Sequence, residues 1–507
     1  MTPLEAAPAL SATAGGLLLV LALMVPVAAV LAILATPARA APWIALLALA
    51  FGTAVALGVV VDLGRSGAAI VHIVGGWMPP LGLALRADGL SGAMIVMTAV
   101  VMTCVGVSAY AQTSDCDGRA NTTFWILLLT IWAGLSAVFV GNDLFNLYVA
   151  LELLTFAAVP LVCLDGRAET TAAALQYLVF AMVGSLFYLL GAALIYGEFG
   201  TLDLSILSQS RSDNASISIA LSLMIVGLLA KTALFPLHIW LPPAHAGARA
   251  PASAILSALV VKAPVFLIVR LVSDVAPATT AATIGQVLGV LGAVSIVFCS
   301  ILAVSQTRLK LMIAYSTIAQ LGYLFIAFPL ATPGDGTHAW SPIAWTGGTL
   351  QLMSHAFAKS AMFLAAGVVA DEYGHDRVAD LGGFGRQLPL TAATFVIAGL
   401  SLVGIPPTGG FSAKYMLLSA AFAANHVWLM GAMIVGGLLA AGYIFRLLDR
   451  AFAEPVACPS TAGRSRRGVE LGALCLAFCA LLLGFVPLQP SEFLQIGHAL
   501  ATPGAGR

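Results

Sequence analysis

The sequence has little charge and lacks the common motifs of soluble chemistry. Only 9% of its 507 residues are charged and 60% are apolar, whereas soluble domains have about 25% charged and about 45–50% apolar residues. The net charge is zero and no block of basic residues occurs, which argues against nucleic acid as a partner. Neither a GxxxxGK(S/T) loop nor a GxGxxG turn is present, so nucleotide binding has no support. This composition indicates an all-α polytopic membrane protein.

Cysteine is scarce and is not arranged for metal binding. Seven cysteines occur, none of them in a CxxC pair, and most lie inside apolar runs. There, cysteine behaves as a small hydrophobic residue. We therefore expect no iron–sulfur or zinc site, no metal and no cofactor in this chain.

Hydrophobic runs long enough to cross a bilayer recur along the whole chain. They fall near residues 12–35, 42–61, 88–111, 121–140, 143–164, 170–196, 217–242, 251–272, 283–304, 310–329, 342–370, 389–424, 427–449 and 469–487. These runs predict about 14 transmembrane helices. Because no Lys or Arg precedes the first run, we expect a retained helix there rather than a cleaved signal peptide.

Two of the runs should be broken. The run 389–424 is too long for one simple span and contains GIPPTGGFSAK (404–414), whose prolines and glycines interrupt a helix. The run 217–242 contains Pro236 and then Pro242–Pro243, so two breaks are expected there. The predicted helices 7 and 12 are therefore discontinuous, as is typical of transporters built from internal repeats.

The basic residues predict an orientation. Thirteen of them share one side, namely Arg39, Arg119, Arg167, Arg249, Arg308, Lys310, Arg377, Arg386, Arg446, Arg450, Arg464, Arg466 and Arg467. The other side holds five, namely Arg65, Arg86, Arg211, Arg270 and Arg507. The positive-inside rule then puts both termini outside a bacterial inner membrane.

Lysine and arginine are distributed differently. All 17 arginines fall in loops or at helix ends, whereas four of the five lysines, Lys231, Lys262, Lys359 and Lys414, fall inside predicted helices. Arginine keeps its proton under biological conditions, but a desolvated lysine can release and rebind one. A chain that needed buried cations only for structure would have no reason to exclude arginine. We interpret the four lysines as proton carriers, with structural pairing as the alternative.

One carboxylate belongs with these lysines. In GNDLFNLYVALELLTFAAVPL (141–161), Glu152 lies near the middle of a predicted helix with apolar neighbours on every side. A lone glutamate there would protonate, but a lysine within about 4–6 Å on a neighbouring helix would keep it charged. Asp143 is interpreted as an interfacial charge at the helix start.

Three histidines lie near the lysines in sequence. His355 and Lys359 are four residues apart and share a helix face. His238 follows Lys231 by seven residues, two turns along the same face, and His245 follows the second predicted break. Each histidine could be a hydrogen-bonded packing residue or, beside a buried lysine, a proton relay. We favour the relay for His238 and His355 and leave both interpretations open for His245.

Several stretches together resemble one family. They are DLFNLYVALELL (143–154), KTALFPLHIWLPPAHAGARAPASAILSALVVK (231–262), RLKLMIAYSTIAQLGY (308–323), SHAFAKSAMFL (354–364) and GIPPTGGFSAKY (404–415). The chain, from about residue 70 to 450, resembles the antiporter-like membrane subunits shared by respiratory complex I, Mrp-type sodium/proton antiporters and membrane-bound hydrogenases.

The resemblance implies a fold of 14 helices with two inverted five-helix repeats, helices 4–8 and 9–13, and broken helices 7 and 12. Residues 1–112 would form helices 1–3, and residues 469–507 would form helix 14 and a tail. Residues 121–273 would form the first, proton-transporting repeat, and residues 283–449 the second.

The resemblance also implies residue roles along a mid-membrane proton axis. Glu152 and Lys231 would be the family's glutamate–lysine pair, and Lys262 the bridging lysine of helix 8. His355 and Lys359 would form the central relay of helix 11, while Lys414 would be the exit residue of helix 12. The family has Lys or Glu at that last position, and lysine makes the chain less like the complex I subunit with glutamate there.

The stretch GGWMPPLGLALRADGLS (75–91) looks like the region before helix 3 in the D-type subunits of Mrp antiporters. We therefore expect a proton-translocating subunit of a multi-subunit Na⁺/H⁺ antiporter, with other membrane subunits, protons, Na⁺ and lipid as partners. The alternative is a proton-pumping subunit of a complex I-like oxidoreductase or a membrane-bound hydrogenase. A structural scaffold is a third class. The chain holds no redox or hydrolytic site, so any such catalysis would come from partner subunits.

Overall fold

The computed structural model describes residues 11–112, 118–211, 213–332, 341–454 and 467–497. The predicted tail from residue 498 onwards, and the orientation residues Arg464, Arg466 and Arg507, lie outside these ranges. Within them, 13 helices are long and apolar enough to cross a membrane. A fourteenth unit consists of two shorter halves, so the predicted number of about 14 spans is confirmed.

The helices follow the predicted runs closely, and we label them α1–α14. Their bounds are α1 Gly16–Ala35, α2 Ala41–Ser66, α3 Gly89–Gln112, α4 Gly118–Val140, α5 Leu144–Val162, α6 Ala168–Phe199, α7a Ala215–Thr232, α7b Leu241–Gly247, α8 Ala250–Val275, α9 Ala278–Ser305, α10 Leu309–Ala331, α11 Pro342–Tyr373, α12a Pro389–Val403, α12b Gly409–Ala423, α13 Val427–Phe452 and α14 Arg467–Phe485. Helices α8 and α11 lie at the centre of the molecule. In an apolar stretch of 18 residues from each of these helices, 94% is buried.

The break in α7 differs from its prediction. The helix ends at Thr232, and the chain then runs through 233–240 before α7b begins. Pro242 and Pro243 do not make a second break but lie in the first turn of α7b, where a missing N–H removes no helical hydrogen bond. Helix 7 therefore continues to Gly247, beyond the predicted end at 242.

The break in α12 is built from glycine and threonine. Gly404 ends α12a with a φ of 91°, a left-handed conformation that glycine adopts without steric cost. Thr408 then begins α12b, its side chain accepting from the backbone N–H of Phe411. In the two successive groups of five helices, α4–α8 and α9–α13, the fourth helix is the broken one. Because five spans separate corresponding helices, the second group runs in the opposite direction to the first.

Loop contacts define one membrane face, which we call the arginine face. Arg167 donates to the carbonyl oxygen of Gly247 at 2.8 Å, and Arg308 pairs with Asp376 at 2.9 Å. The face consists of the segments 163–167, 248–249, 306–308 and 374–388. These are loops that the sequence analysis placed together on the basic side.

The opposite face, which we call the Asp88 face, carries a small element that was not predicted. Two antiparallel strands, β1 Ile70–Ile73 and β2 Ala84–Ala87, pair with Ile70 opposite Ala87. Asp88 follows β2 and is 1% exposed. Its carboxylate accepts from Arg270 of α8 at 2.5 Å, so Arg270 is buried in an ion pair, whereas the sequence suggested an ordinary outside-loop cation.

Candidate functional site

The glutamate and the first lysine meet within the membrane. Lys231 Nζ lies 3.0 Å from Glu152 Oε1 and 3.1 Å from Thr155 Oγ1. Both partners come from α5, while Lys231 lies in the last turn of α7a, just before the break. Ser185 of α6 also donates to Glu152. The two charged side chains are only 6% and 13% exposed, so this is a desolvated ion pair.

The second lysine pairs with no carboxylate of the described residues. Lys262 is fully buried in α8, and its Nζ donates to the carbonyl oxygen of Ser257 at 2.8 Å. Ser257 lies in a π-helical turn, Leu256–Val260, a distortion that recurs at functional sites. A carbonyl oxygen accepts a hydrogen bond from either a charged or a neutral amine, so this contact does not fix the charge of Lys262.

The two residues of the central pair, His355 and Lys359, are both buried in α11. Lys359 Nζ donates to the carbonyl oxygen of Ile313 at 3.0 Å and to Ser316 Oγ, both on α10. Neither ring nitrogen of His355 has a hydrogen-bond partner among the described protein atoms. His355 is 1% exposed and lies one turn before Lys359 on α11.

The last lysine is held by the break in α12. Lys414, in the first turns of α12b, donates to the carbonyl oxygens of Leu402 at 2.5 Å and Val403 at 3.2 Å. These are carbonyls at the end of α12a, whose dipole favours a cation there. The ammonium also lies 4.4 Å from the ring centroid of Tyr323 on α10, a cation–π distance.

Helix α10 supplies polar residues that sequence reasoning missed. Ser316 accepts from Lys359, and Thr317 bonds the hydroxyl of Ser257 at 2.9 Å. Gln320 donates to the carbonyl oxygen of Leu402 at 3.1 Å, the same oxygen that Lys414 uses. One polar stripe, Ser316–Thr317–Gln320, thus touches the surroundings of three lysines. Its sequence signal was three polar residues at i, i+1 and i+4 in an apolar helix.

His238 is not placed as its spacing suggested. Because α7a ends at Thr232, His238 lies in the connection 233–240 and does not share a helical face with Lys231. Its ring instead neighbours those of Phe235 and Phe298, with centroids 5.4 and 6.4 Å away. The same-face prediction for His238 was therefore wrong, because the helix ends before the second turn can form.

His245 is fully buried in α7b. Its ring stacks on Phe363 of α11 at 4.5 Å, and neither ring nitrogen has a partner among the described protein atoms. Phe363 lies one turn after Lys359 on α11, and Lys310 donates to the carbonyl oxygen of Ala248, three residues after His245. Of the two histidines near the break in α7, His245 is therefore the one that lies on the side of Lys310 and Lys359.

The charge balance of the buried site is uneven. Within the described ranges, Glu152 is the one carboxylate that forms an ion pair with any of the four helix lysines. The other three contact only carbonyl and hydroxyl oxygens or an aromatic ring. No hydrogen bond joins Lys231 to Lys262 in the described part of the chain, so any proton moving between them needs an intermediary. No cluster of metal-ligating side chains is found among the described residues.

Comparisons with known proteins show which proteins this chain resembles. Residues 141–440 match the family described as NADH:quinone oxidoreductase/Mrp antiporter, TM. The N-type subunit of the NADH-quinone oxidoreductase of Desulforudis audaxviator is 36% identical over 407 residues, which cover 79% of each chain. The D-type subunit of the Na⁺/H⁺ antiporter of Bacillus subtilis is 27% identical over 437 residues, or 85% of this chain and 86% of that one.

Among solved structures, a chain of the Mrp complex from Dietzia sp. DQ12-45-1b superposes with a TM-score of 0.85. The match covers 95% of this chain and 97% of that one at 23% identity. At this identity, the likeness shows a shared fold.

Proposed function

The chain belongs to the NADH:quinone oxidoreductase/Mrp antiporter transmembrane family, and on that premise we propose that it is a proton-translocating subunit of a multi-subunit membrane complex. The observation that carries the proposal is the buried Glu152–Lys231 pair at 3.0 Å, followed by three further buried lysines that pair with no carboxylate in the described part of the chain. Ionisable residues are costly inside a membrane and mark ion and proton pathways. The proposed axis runs from Glu152 and Lys231 through Lys262, His355 and Lys359 to Lys414, with His238 and His245 as accessory relays.

Mutual repulsion gives this axis a physical means of moving protons. The further groups of the axis form no ion pair with a carboxylate of the described residues and are all buried, namely Lys262, His355, Lys359 and Lys414. Without a carboxylate to neutralise them, the simultaneous protonation of all these groups costs free energy in a medium of low polarity. A proton added at one end therefore favours the release of another further along the axis.

The Glu152–Lys231 pair supplies the control point of this scheme. While Glu152 is charged and in contact, it stabilises the protonated form of Lys231. If the contact lengthens, Lys231 becomes a donor to the rest of the axis. Since Lys231 lies in the last turn before the break of α7, a small change in that break alters the pairing distance.

The identity of the complex has two candidates. The 75–91 stretch favours an Mrp-type Na⁺/H⁺ antiporter, as the 27% identical B. subtilis relative does. The 36% identical D. audaxviator relative belongs to an NADH-quinone oxidoreductase, and this higher identity favours a redox-driven complex at least as strongly. Purification of the complex through an affinity tag on this chain, followed by mass spectrometry, decides between them. Iron–sulfur or nickel proteins in the purified complex would identify a redox complex. Other membrane antiporter subunits without such proteins would identify an antiporter.

We further propose that the arginine face is the inner side of a bacterial inner membrane, with both termini outside. The division into a first repeat at 121–273 and a second at 283–449 belongs to the same proposal. Single cysteines introduced at Arg167 and at Arg86 test the orientation. A membrane-impermeant thiol reagent should label the first only in inside-out vesicles and the second only in right-side-out vesicles; the reverse pattern would invert the topology.

Substitution of Lys231 tests the function. Lys231→Ala should abolish proton movement in reconstituted vesicles at an unchanged amount of assembled complex, because it removes the first carrier. Lys231→Arg should fail as well, since arginine keeps its proton. Wild-type transport in Lys231→Ala would refute the proposal, and retained activity in Lys231→Arg would make the cation purely structural.

A further inference from the structure

The end of α7b on the arginine face is contacted by two cations from different elements. Lys310 Nζ donates to the carbonyl oxygen of Ala248 at 3.1 Å, and Arg167 donates to that of Gly247 at 2.8 Å. Cations stabilise the carbonyl end of a helix, so both residues could serve as simple caps. The two differ in position, since the side chain of Arg167 is 63% exposed whereas Lys310 is partly buried.

On its outer side, Lys310 faces carboxylates at the end of α11. The backbone N–H of Lys310 donates to Asp376 Oδ2 at 3.5 Å, and Asp371 lies in the last turn of α11. Asp376 is buried and paired with Arg308 at 2.9 Å, whereas Asp371 is exposed. Lys310 therefore lies beside the end of α11, where an exposed carboxylate meets the surrounding water.

On its inner side, Lys310 approaches His245. Lys310 Nζ donates to the carbonyl oxygen of Ala248, three residues after His245, and the ring of His245 stacks on Phe363, one turn after Lys359 on α11. This histidine therefore lies between a lysine of the arginine face and a lysine of the central axis. Its two ring nitrogens have no partner among the described protein atoms, although the residue is fully buried. A neutral imidazole has one N–H donor and one acceptor nitrogen, which suits it to receive a proton on one side and release one on the other.

We propose that Lys310 is the proton-uptake residue of the arginine face, passing protons between the surface near Asp371 and His245. The charged Nζ of Lys310 gives a proton, through water, to the unprotonated ring nitrogen of His245. The other ring nitrogen then releases its proton toward the neutral amine of Lys359. The neutral Lys310 regains a proton from water beside Asp371, so only N–H and O–H bonds are made and broken.

This inference rests on the proposed function. It assigns a role in proton uptake to Lys310, which the sequence predicts only to be one of the basic residues of the loops. It also explains why a lysine, and not an arginine, stands at this position. Every other basic residue on the arginine face that the sequence analysis counted is an arginine, and arginine would cap the helix equally well.

The test compares four variants in the purified complex reconstituted into liposomes, with proton uptake driven by a potassium–valinomycin potential and read by an internal pH dye. Lys310→Met and Lys310→Arg should each lower uptake at least tenfold at equal amounts of assembled complex. Lys310→His should restore part of it, with a dependence on pH at the arginine face near about 6.5. Arg167→Gln, the matched control that removes the exposed cap of the same helix, should stay within about twofold of wild type.

Lys231→Ala in the same assay separates the two proposals. Wild-type uptake in Lys310→Arg, with Lys231→Ala inactive, would overturn the uptake role alone and leave Lys310 as a helix cap. Equal losses in Arg167→Gln and Lys310→Arg would likewise overturn it. Wild-type uptake in Lys231→Ala would overturn the proposed function. If Lys310→Met fails to assemble, the Arg and His variants still decide the question.

Discussion

Replacing Glu152 by glutamine removes one charge from the buried pair and leaves its shape unchanged. At the observed 3.0 Å between Lys231 Nζ and Glu152 Oε1, two unit charges in an effective dielectric near 20 interact by about 5 kcal/mol. Even a third of this energy exceeds the ~1.4 kcal/mol that corresponds to a tenfold change in proton occupancy. Glu152→Gln should therefore lower proton transport at least tenfold.

The measurement uses inside-out vesicles with equal amounts of assembled complex, in which the decay of an imposed pH gradient is followed with an acridine dye. Ser185→Ala is the matched control, because it removes a hydrogen bond to Glu152 while leaving both charges in place. Such a bond contributes about 1.5–3 kcal/mol when one partner is charged, so this variant should be less impaired than Glu152→Gln. If Glu152→Gln transports at the wild-type rate, the carboxylate does not control Lys231 and the reasoning fails.

Two further predictions concern residues outside the predicted axis. Gln320→Leu should slow proton transport several-fold in the vesicle assay without loss of protein, because it removes the donor that shares the Leu402 carbonyl with Lys414; unchanged transport would show that this bridge is dispensable. Arg270→Gln should destabilise the protein by about 3–5 kcal/mol, seen as a lower thermal midpoint in detergent, since it leaves the buried Asp88 without its cation. Burial alone would raise the pKa of Asp88, but the neighbouring Arg270 outweighs that effect and holds the pKa below its usual range. The pair therefore stabilises the fold above about pH 4 and loses this contribution at lower pH, a dependence that Asp88→Asn should abolish.

The sequence was sufficient for the helices and for the main buried pair. Hydrophobic length alone predicts the spans, because a bilayer imposes one thickness on all of them. The proline and glycine pattern predicts the break at 404–408, since these residues cannot continue a helix. A lysine and a glutamate in different apolar helices must neutralise each other, and the structure places Glu152 and Lys231 in direct contact.

What the sequence could not supply was the direction of side chains across helix boundaries. Lys310 was counted as a loop cation because it begins a helix, yet its ammonium points back to the end of α7b. His238 does not share the helical face of Lys231, because α7a ends at Thr232 and the chain leaves the helix before it reaches residue 238. Ser316 and Gln320 are ordinary in a membrane helix, and only the packing of α10 against α8, α11 and α12a distinguishes them.

The polar stripe of α10 has a consequence for timing. A single rigid helix provides the oxygen for Lys359, the hydroxyl that meets Ser257 next to Lys262, and the amide that shares the Leu402 carbonyl with Lys414. A small rotation of α10 about its own axis would therefore change the surroundings of Lys262, Lys359 and Lys414 simultaneously. Under the proposed function, the proton steps at the three lysines would then be coupled through the position of this one helix, without a signal passed from one lysine to the next.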